Sequence, residues 1–178
     1  DRLSIFKAIK SIKDIIEEEE NNYIYVNVAS GSKIQAIACM MACMVLKHCD
    51  NLKPFYAQPE KYAVFEGKQQ SFGIKDTIAL PIYEIQTPKP KLLAALKIVF
   101  EQKDQRMTKK DMAKMTEEKG IITINSEEKN HSQARFASLD KNIIAPLEKE
   151  WKFIEIEKIG RNRWIKITEE GRNAAEFL

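Results

Sequence analysis

Two sets of residues in this sequence have the types and spacing to do chemistry. The first is the run Val26-Asn27-Val28-Ala29-Ser30-Gly31-Ser32-Lys33, where an amide, two hydroxyls, a glycine and a lysine fall between an apolar strand and a long apolar helix. Open α/β sheets bind ligands at such junctions, and the backbone N–H groups of a helix start hold phosphate or another anion. Gly31 would let a ligand approach the backbone closely, and Lys33 would add a point charge. Asn27, Ser30, Gly31, Ser32 and Lys33 are therefore candidate ligand-binding residues. A plainer reading competes: Ser30 or Ser32 caps the helix, and Asn27 is a satisfied strand residue. On residue chemistry alone the plainer reading is the stronger, because one short turn of this kind is a weak signal.

The second set is basic and lies in the second half. Asn130, His131, Ser132, Gln133 and Arg135 fall at the start of a helical segment, where side chains can meet base edges, and Arg135 or Gln133 has the geometry for bidentate contacts. Lys109 and Lys110 open the preceding helix, and Arg161 and Arg163 sit at a hairpin tip; these four are candidate phosphate contacts, which position without specifying. Each of these residues taken alone also fits a solvated surface. Charge supports them as a group: Lys and Arg stand 10 against 11 Asp and Glu in residues 1–87, but 19 against 15 in residues 88–178. The excess is on the side that would face a polyanion. Glu127 and Glu128, in a long segment from Ile121 to Asn130, would repel DNA.

Nothing assembles into an enzyme. His48 adjoins Cys49, and Cys39 and Cys43 are four apart, but a metal site needs convergent ligands and so apolar a helix buries thiols as ordinary core. The expectation is no catalytic residue, no metal and no cofactor. Three cysteines cannot build a disulfide framework, the opening lacks a signal-peptide pattern, and no window reaches the ~18 apolar residues of a membrane span. A cytoplasmic protein without a membrane partner is expected.

The elements that must position these residues follow from periodicity. Ile5, Ile9, Ile12 and Ile16 recur at helical spacing. Tyr23 to Val28 reads as a buried strand, Lys33 to Lys47 as a helix packed on a sheet, and Lys53 to Ala57 as a second strand. Tyr62 to Ile74 is ambiguous, with a hairpin around Gly67 as one reading. Thr77 to Ile85 is a further strand that lies at an edge or ends at Pro81. About three strands before residue 87, against the ~5 to 6 of an ordinary sheet, and a helical opening at Asp1 together imply that a domain is entered part-way.

Thr87-Pro88-Lys89-Pro90 is the expected domain boundary. Beyond it come an amphipathic helix from Lys91 to Gln102, then a helix capped by Thr108 with Asp111 as capping-box partner and ended by Gly120. A third helical region from Ser132 to Trp151 should be divided by Pro146. Strands Phe153–Glu157 and Trp164–Thr168 flank a basic tip, and a helix from Glu169 to Leu178 closes the unit.

Helices, then a hairpin with a basic tip, then a closing helix is the order of a winged helix-turn-helix domain. The stretch from Leu147 to Ile156, with Gly160-Arg161-Asn162-Arg163-Trp164 to Arg172, resembles the wing region of archaeal and bacterial winged-helix regulators. The resemblance implies that the third helix enters the major groove and the wing touches backbone or minor groove. Residues 1–87 are similar to the later part of a CARF domain, the CRISPR-associated Rossmann-like sensor, in archaeal proteins fused to a winged helix. The segment Tyr25 to Ala38 resembles their strand, turn and helix, typically Asn-x-(Ser/Thr)-Gly-Gly-(Thr/Ser)-Lys; here Ala29 is the spacer, Ser30 stands at the first family glycine and Lys33 matches. This likeness implies a homodimer with a shared pocket and a cyclic oligoadenylate as the type ligand.

The expected fold class is thus α/β, a partial Rossmann-like (CARF) sheet domain over 1–87 followed by a winged helix-turn-helix domain over 88–178. The expected function is a ligand-responsive transcription regulator that binds double-stranded DNA as a homodimer. The alternatives are a winged helix that docks protein, and a CARF sensor with weak ring-nuclease activity in which Ser30 and Lys33 assist in-line attack.

Overall fold

The computed structural model describes residues 5–47, 49–62, 71–124 and 130–178. The expected hairpin turn at Gly67, the residues Glu127 and Glu128, and His48 lie outside the described residues. The chain divides into two compact units, Asp1–Thr87 and Pro88–Leu178.

In the first unit, α1 (Ile5–Glu18) turns Ile9 and Ile16 inward, as its spacing requires. Strand β1 (Ile24–Asn27) leads into α2 (Lys33–Val45), which returns the chain to β2 (Leu52–Gln58). β1 and β2 pair in parallel, Ile24 opposite Leu52 and Asn27 opposite Phe55. A parallel pair needs such a crossover, and the helix supplies it. The pair Lys61–Tyr62 (β3) and Ser71–Phe72 (β4) is antiparallel and forms its own small sheet. β5 (Asp76–Ala79) then pairs antiparallel with β2 and ends before Pro81, giving the order β1-β2-β5 with β5 at an edge. Leu52 and Pro54 are buried, whereas Tyr23, Tyr25 and Lys53, on alternate positions, are exposed. The sheet therefore has one covered face and one open face among the described residues, and β1 is not the buried strand expected for Tyr23 to Val28: its alternate side chains face outward because nothing described covers that side.

The second unit runs α3 (Pro90–Phe100), β6 (Arg106–Thr108), α4 (Lys109–Glu118), α5 (His131–Leu139), β7 (Ile154–Ile159), β8 (Asn162–Ile167) and α6 (Glu169–Phe177). Pro90 sits in the first turn of α3, where its missing N–H costs nothing. Its Leu92, Ala95, Leu96, Ile98 and Val99 join Met107, Met112, Ala113, Leu139, Ile143, Ile144, Leu147, Ile154 and Ile165 in one core. α4 ends as Gly120 takes φ +67, with Gly120 N–H donating to Glu117 O at 2.8 Å and Ile121 N–H to Thr116 O at 2.8 Å. That is a Schellman closure, which needs a residue free to go left-handed.

Three details differ from the sequence expectation. The first is β6, a three-residue strand that pairs with β8 and makes the sheet order β6-β8-β7. Its Arg106-Met107-Thr108 is too short to show a period of its own and is strand only because β8 lies beside it. Secondly, the wing strands are longer than expected and meet at a two-residue turn, Gly160-Arg161, with Ile159 opposite Asn162. Gly160 has φ +62 and Arg161 is not in the positive region, which is the type II′ pattern.

The third difference is at Pro146, which does not divide the helical segment. Helical backbone runs on from α5 as two π turns, Asp140–Ile144 and Pro146–Glu150, with Ala145 at φ −59 and ψ −45. In an α-helix the proline ring would press on the carbonyl of Asn142. The wider turn, in which Ala145 N–H reaches Asp140 O and Trp151 N–H reaches Pro146 O at 3.0 Å, keeps Ile143, Ile144 and Leu147 buried without a break.

Candidate nucleic-acid interface and the turn after β1

In the second unit the structure sorts the basic residues into two groups. Lys109, Lys110, Arg161 and Arg163 line one recess of about 300 Å³, together with Thr108, Asn162 and Phe136. Two local causes bring them there. Thr108 is both the last residue of β6, opposite Trp164, and the N-cap of α4, so the first turn of α4 starts next to the wing. The tight Gly160-Arg161 turn then keeps both wing arginines near the strand end. Thr108 Oγ1 accepts the Asp111 N–H at 3.1 Å and donates to the Asp111 carboxylate at 2.6 Å, so the expected N-cap forms, but Asp111 answers the Thr108 hydroxyl and not the Thr108 N–H that a capping box requires.

These four cations are not equivalent. Lys109 Nζ lies 2.6 Å from the Asp140 carboxylate, with its side chain only 14% exposed, and sits 5.8 Å from the centroid of the Phe136 ring. Its charge is already answered. Lys110, Arg161 and Arg163 are exposed and have no ion-pair partner among the described residues. They are the ones available to phosphate.

The candidate base-reading residues are sorted the same way. His131 Nε2 lies 2.9 Å from Glu117 Oε1, and Arg135 donates to Glu117 Oε2 at 3.1 Å. One carboxylate at the end of α4 thus holds two residues of α5. Arg135 Nε is buried with no partner, and the side chain is 22% exposed, so this guanidinium belongs to the helix pair. Asn130, Ser132 and Gln133 are exposed, and no side-chain hydrogen bond holds them among the described residues. Sequence reasoning passed over Lys141 and Glu117. Spacing offered a signal for Lys141, which follows Gln133 and Ala137 at intervals of four; Glu117 pairs across the turn and had none.

In the first unit, the turn after β1 is capped from within. Asn27 Oδ1 accepts the Ala29 N–H at 2.9 Å, a local Asx closure. Ser32 is the N-cap of α2: its Oγ accepts the Gln35 N–H at 3.2 Å, and Gln35 Oε1 accepts the Ser32 N–H at 2.8 Å. This capping box is the plainer reading of Ser32, and Ser30 is not the cap. Gly31 has φ +90, and a Cβ there would meet Gln35 Oε1 at 2.7 Å. The glycine is thus required by the turn itself, whatever else approaches it.

The cap leaves some donors over. No acceptor among the described residues meets the backbone N–H of Ser30, Gly31, Lys33 or Ile34, and Lys33 and Ser30 are exposed. Elsewhere on this unit a recess of about 400 Å³ lies on the open face of the sheet, lined by Tyr25, Lys53, Pro54, Phe55, Thr77 and Ala79. Lys53 Nζ stands 5.6 Å from the Tyr23 ring centroid and 6.0 Å from that of Tyr25. Burial raises the Cys39 thiol and pushes Cys43 up to about 12, so both stay protonated. Among the described residues no group of three His, Cys, Asp or Glu could hold a metal ion, and no helix is long and apolar enough to cross a membrane.

Comparison with known proteins agrees with the division into units. Residues 91–178 match the family described as the DUF6293 C-terminal winged helix domain. Residues 1–62 match the one described as HFX_2341_N:-like, N-terminal. The uncharacterized protein MJ1513 of Methanocaldococcus jannaschii is 26% identical over 153 residues, covering 72% of this chain and 46% of that protein. The chain therefore spans about half the length of the curated relative it matches. Mixed α/β elements, a helical cluster carrying a wing, and these matches together give a two-domain architecture similar to an archaeal protein, with a winged-helix domain of the DUF6293 kind at the C-terminal end.

Proposed function

We propose that the chain is a ligand-responsive DNA-binding regulator, its winged-helix unit binding duplex DNA and its α/β unit sensing a small nucleotide-type anion. The observation that carries the DNA half is the recess formed by α4 and the wing, where Lys109, Lys110, Arg161 and Arg163 converge. Cations on two elements, spaced by a rigid strand pair, suit the sequence-independent grip on phosphates that dominates affinity. The sensing half rests on the four N–H donors left over at the turn after β1, with Lys33 beside them. By resemblance to CARF domains the anion is a cyclic oligoadenylate, bound between two copies, and its effect would be a shift between two dimer arrangements that space the winged helices differently.

Anisotropy titrations of labelled duplex across a salt series test the DNA half. Three free cations predict a log–log salt slope of about −3. No duplex affinity at low salt would sink this reading. For the sensor, calorimetric titration with cyclic tetra-adenylate should show binding that Lys33→Ala weakens, and unchanged affinity in that variant would remove the turn from the account.

A second reading has an observation of its own. Lys109 and Arg135 are each held by a carboxylate, which leaves the domain less basic at its surface than its sequence. That favours a winged helix that docks protein, and the same titration separates the two.

A further inference from the structure

Helical geometry and Glu117 together decide which side of α5 is free. Successive residues turn by 100°, so His131 and Arg135, four apart, share one face, the face held by Glu117. Gln133 lies two residues from each, about 200° around the helix from both. Ala137 follows four residues on in α5 and Lys141 four beyond it in the first π turn, whose wider winding keeps it close to the same side, and all three are exposed. The free face therefore carries a carboxamide, a methyl and an ammonium in a row along the helix.

We propose that base reading runs along the Gln133–Ala137–Lys141 face, and that Glu117 is the positioning residue that sets it there by clamping His131 and Arg135 on the opposite side. The inference rests on the DNA-binding reading above. Each side chain of the row has a partner in the major groove: a glutamine carboxamide pairs with adenine N6 and N7, a small methyl side chain packs on the thymine methyl, and a lysine donates to guanine O6 and N7 or to the backbone. Ala137 matters as much for what it lacks, since a small side chain mid-helix lets the backbone approach the base edges.

Arg135, the side chain most suited by type to guanine, is excluded on three counts. It is mostly buried, its Nε has lost contact with solvent, and its charge is answered by Glu117 at 3.1 Å. Swinging it out would leave the Glu117 carboxylate with the His131 imidazole alone. The clamp also ties the end of α4 to the start of α5, the helix that in a winged helix enters the groove.

The test begins with the full chain and a randomised duplex pool, from which the preferred sequence is selected, followed by anisotropy titrations against single base-pair changes. Gln133→Ala is expected to lower discrimination at one base pair by about 5- to 150-fold while binding to unselected duplex changes less than about threefold. Arg135→Met, with folding checked by circular dichroism, leaves the His131–Glu117 contact in place and should keep the same preferred sequence even where overall affinity falls. Glu117→Ala frees a guanidinium next to the groove, so it should gain preference for guanine at a new position and steepen the salt slope by about one; a merely structural role would do neither. Loss of the base preference in folded Arg135→Met, with none lost in Gln133→Ala, overturns the proposal. If the unaltered chain binds no duplex at low salt, the DNA-binding reading fails and this proposal with it. If it binds duplex with no preference that depends on Gln133, only this proposal fails.

Discussion

At the scale of single residues, the point of interest is how many cations are spoken for. Lys109 is paired with Asp140, whereas Lys110, Arg161 and Arg163 meet no carboxylate. Arg161→Ala and Arg163→Ala should therefore each flatten the log–log salt slope of duplex binding by about 0.9, and Lys109→Ala should change it by less. Equal effects at all positions would mean that the Lys109–Asp140 pair opens in the complex. A second expectation concerns Cys43, which burial pushes up to about 12. Its proton is kept in the folded chain and lost from the unfolded chain as pH rises above the ordinary thiol value of 9.0. The unfolded state then binds fewer protons, so stability is unaffected below that pH and falls above it, at up to about 1.4 kcal/mol per unit. Denaturant melts at pH 8 and pH 10 should show a smaller loss in Cys43→Ala than in the parent chain. None of these pairings is legible in the sequence, because Lys109 and Asp140 are thirty-one residues apart.

At the scale of elements, the ends carry the design. The capping box of α2 is local, and Ser32→Ala should cost about 1 kcal/mol in chemical denaturation by leaving the Gln35 N–H unpaired. α6 is different. Gly171 lies in its first turn with ordinary backbone angles, yet a Cβ there would stand 2.1 Å from the Phe153 carbonyl oxygen. Thr168 binds that corner twice over, its Oγ1 donating to Lys152 O at 2.8 Å and accepting the Gly171 N–H at 3.0 Å. Gly171→Ala would improve helix propensity but force backbone apart, and the clash wins; a loss of about 1 to 3 kcal/mol is expected, measured by the shift in denaturation midpoint. Helices α1 to α4 and the wing could be read from spacing, caps and turn residues because those signals span only a few positions. β6 and the π turns could not. One is strand only by pairing with β8, and the other is a compromise between a proline and buried Ile143, Ile144 and Leu147 on either side of it.

At the scale of the whole molecule, the two units are unequally built. The second has a continuous core drawn from α3, α4, α5, the π turns, α6 and all three strands of its sheet. In the first, the buried apolar residues are Ile9, Ile16, Ala38, Ala42, Cys43, Leu46, Leu52 and Pro54 among those described, and one sheet face is open with Tyr23 and Tyr25 exposed. Expressed alone, residues 88–178 should unfold cooperatively, whereas residues 1–87 should melt at lower denaturant. A first unit as stable as the second would contradict this estimate of its core. The helices before and after the wing, the wing itself, the residue types offered at the turn after β1 and at the start of α5, and the winged-helix character of the second half are legible along the chain. Those follow from periodicity and turn chemistry, which act over one or two turns of chain. Which cations remain free depends on packing, because a charge is available or spent according to what folds against it. Asp140 and Glu117 settle that for Lys109 and Arg135, and the face of α5 that stays without a partner among the described residues is settled with them.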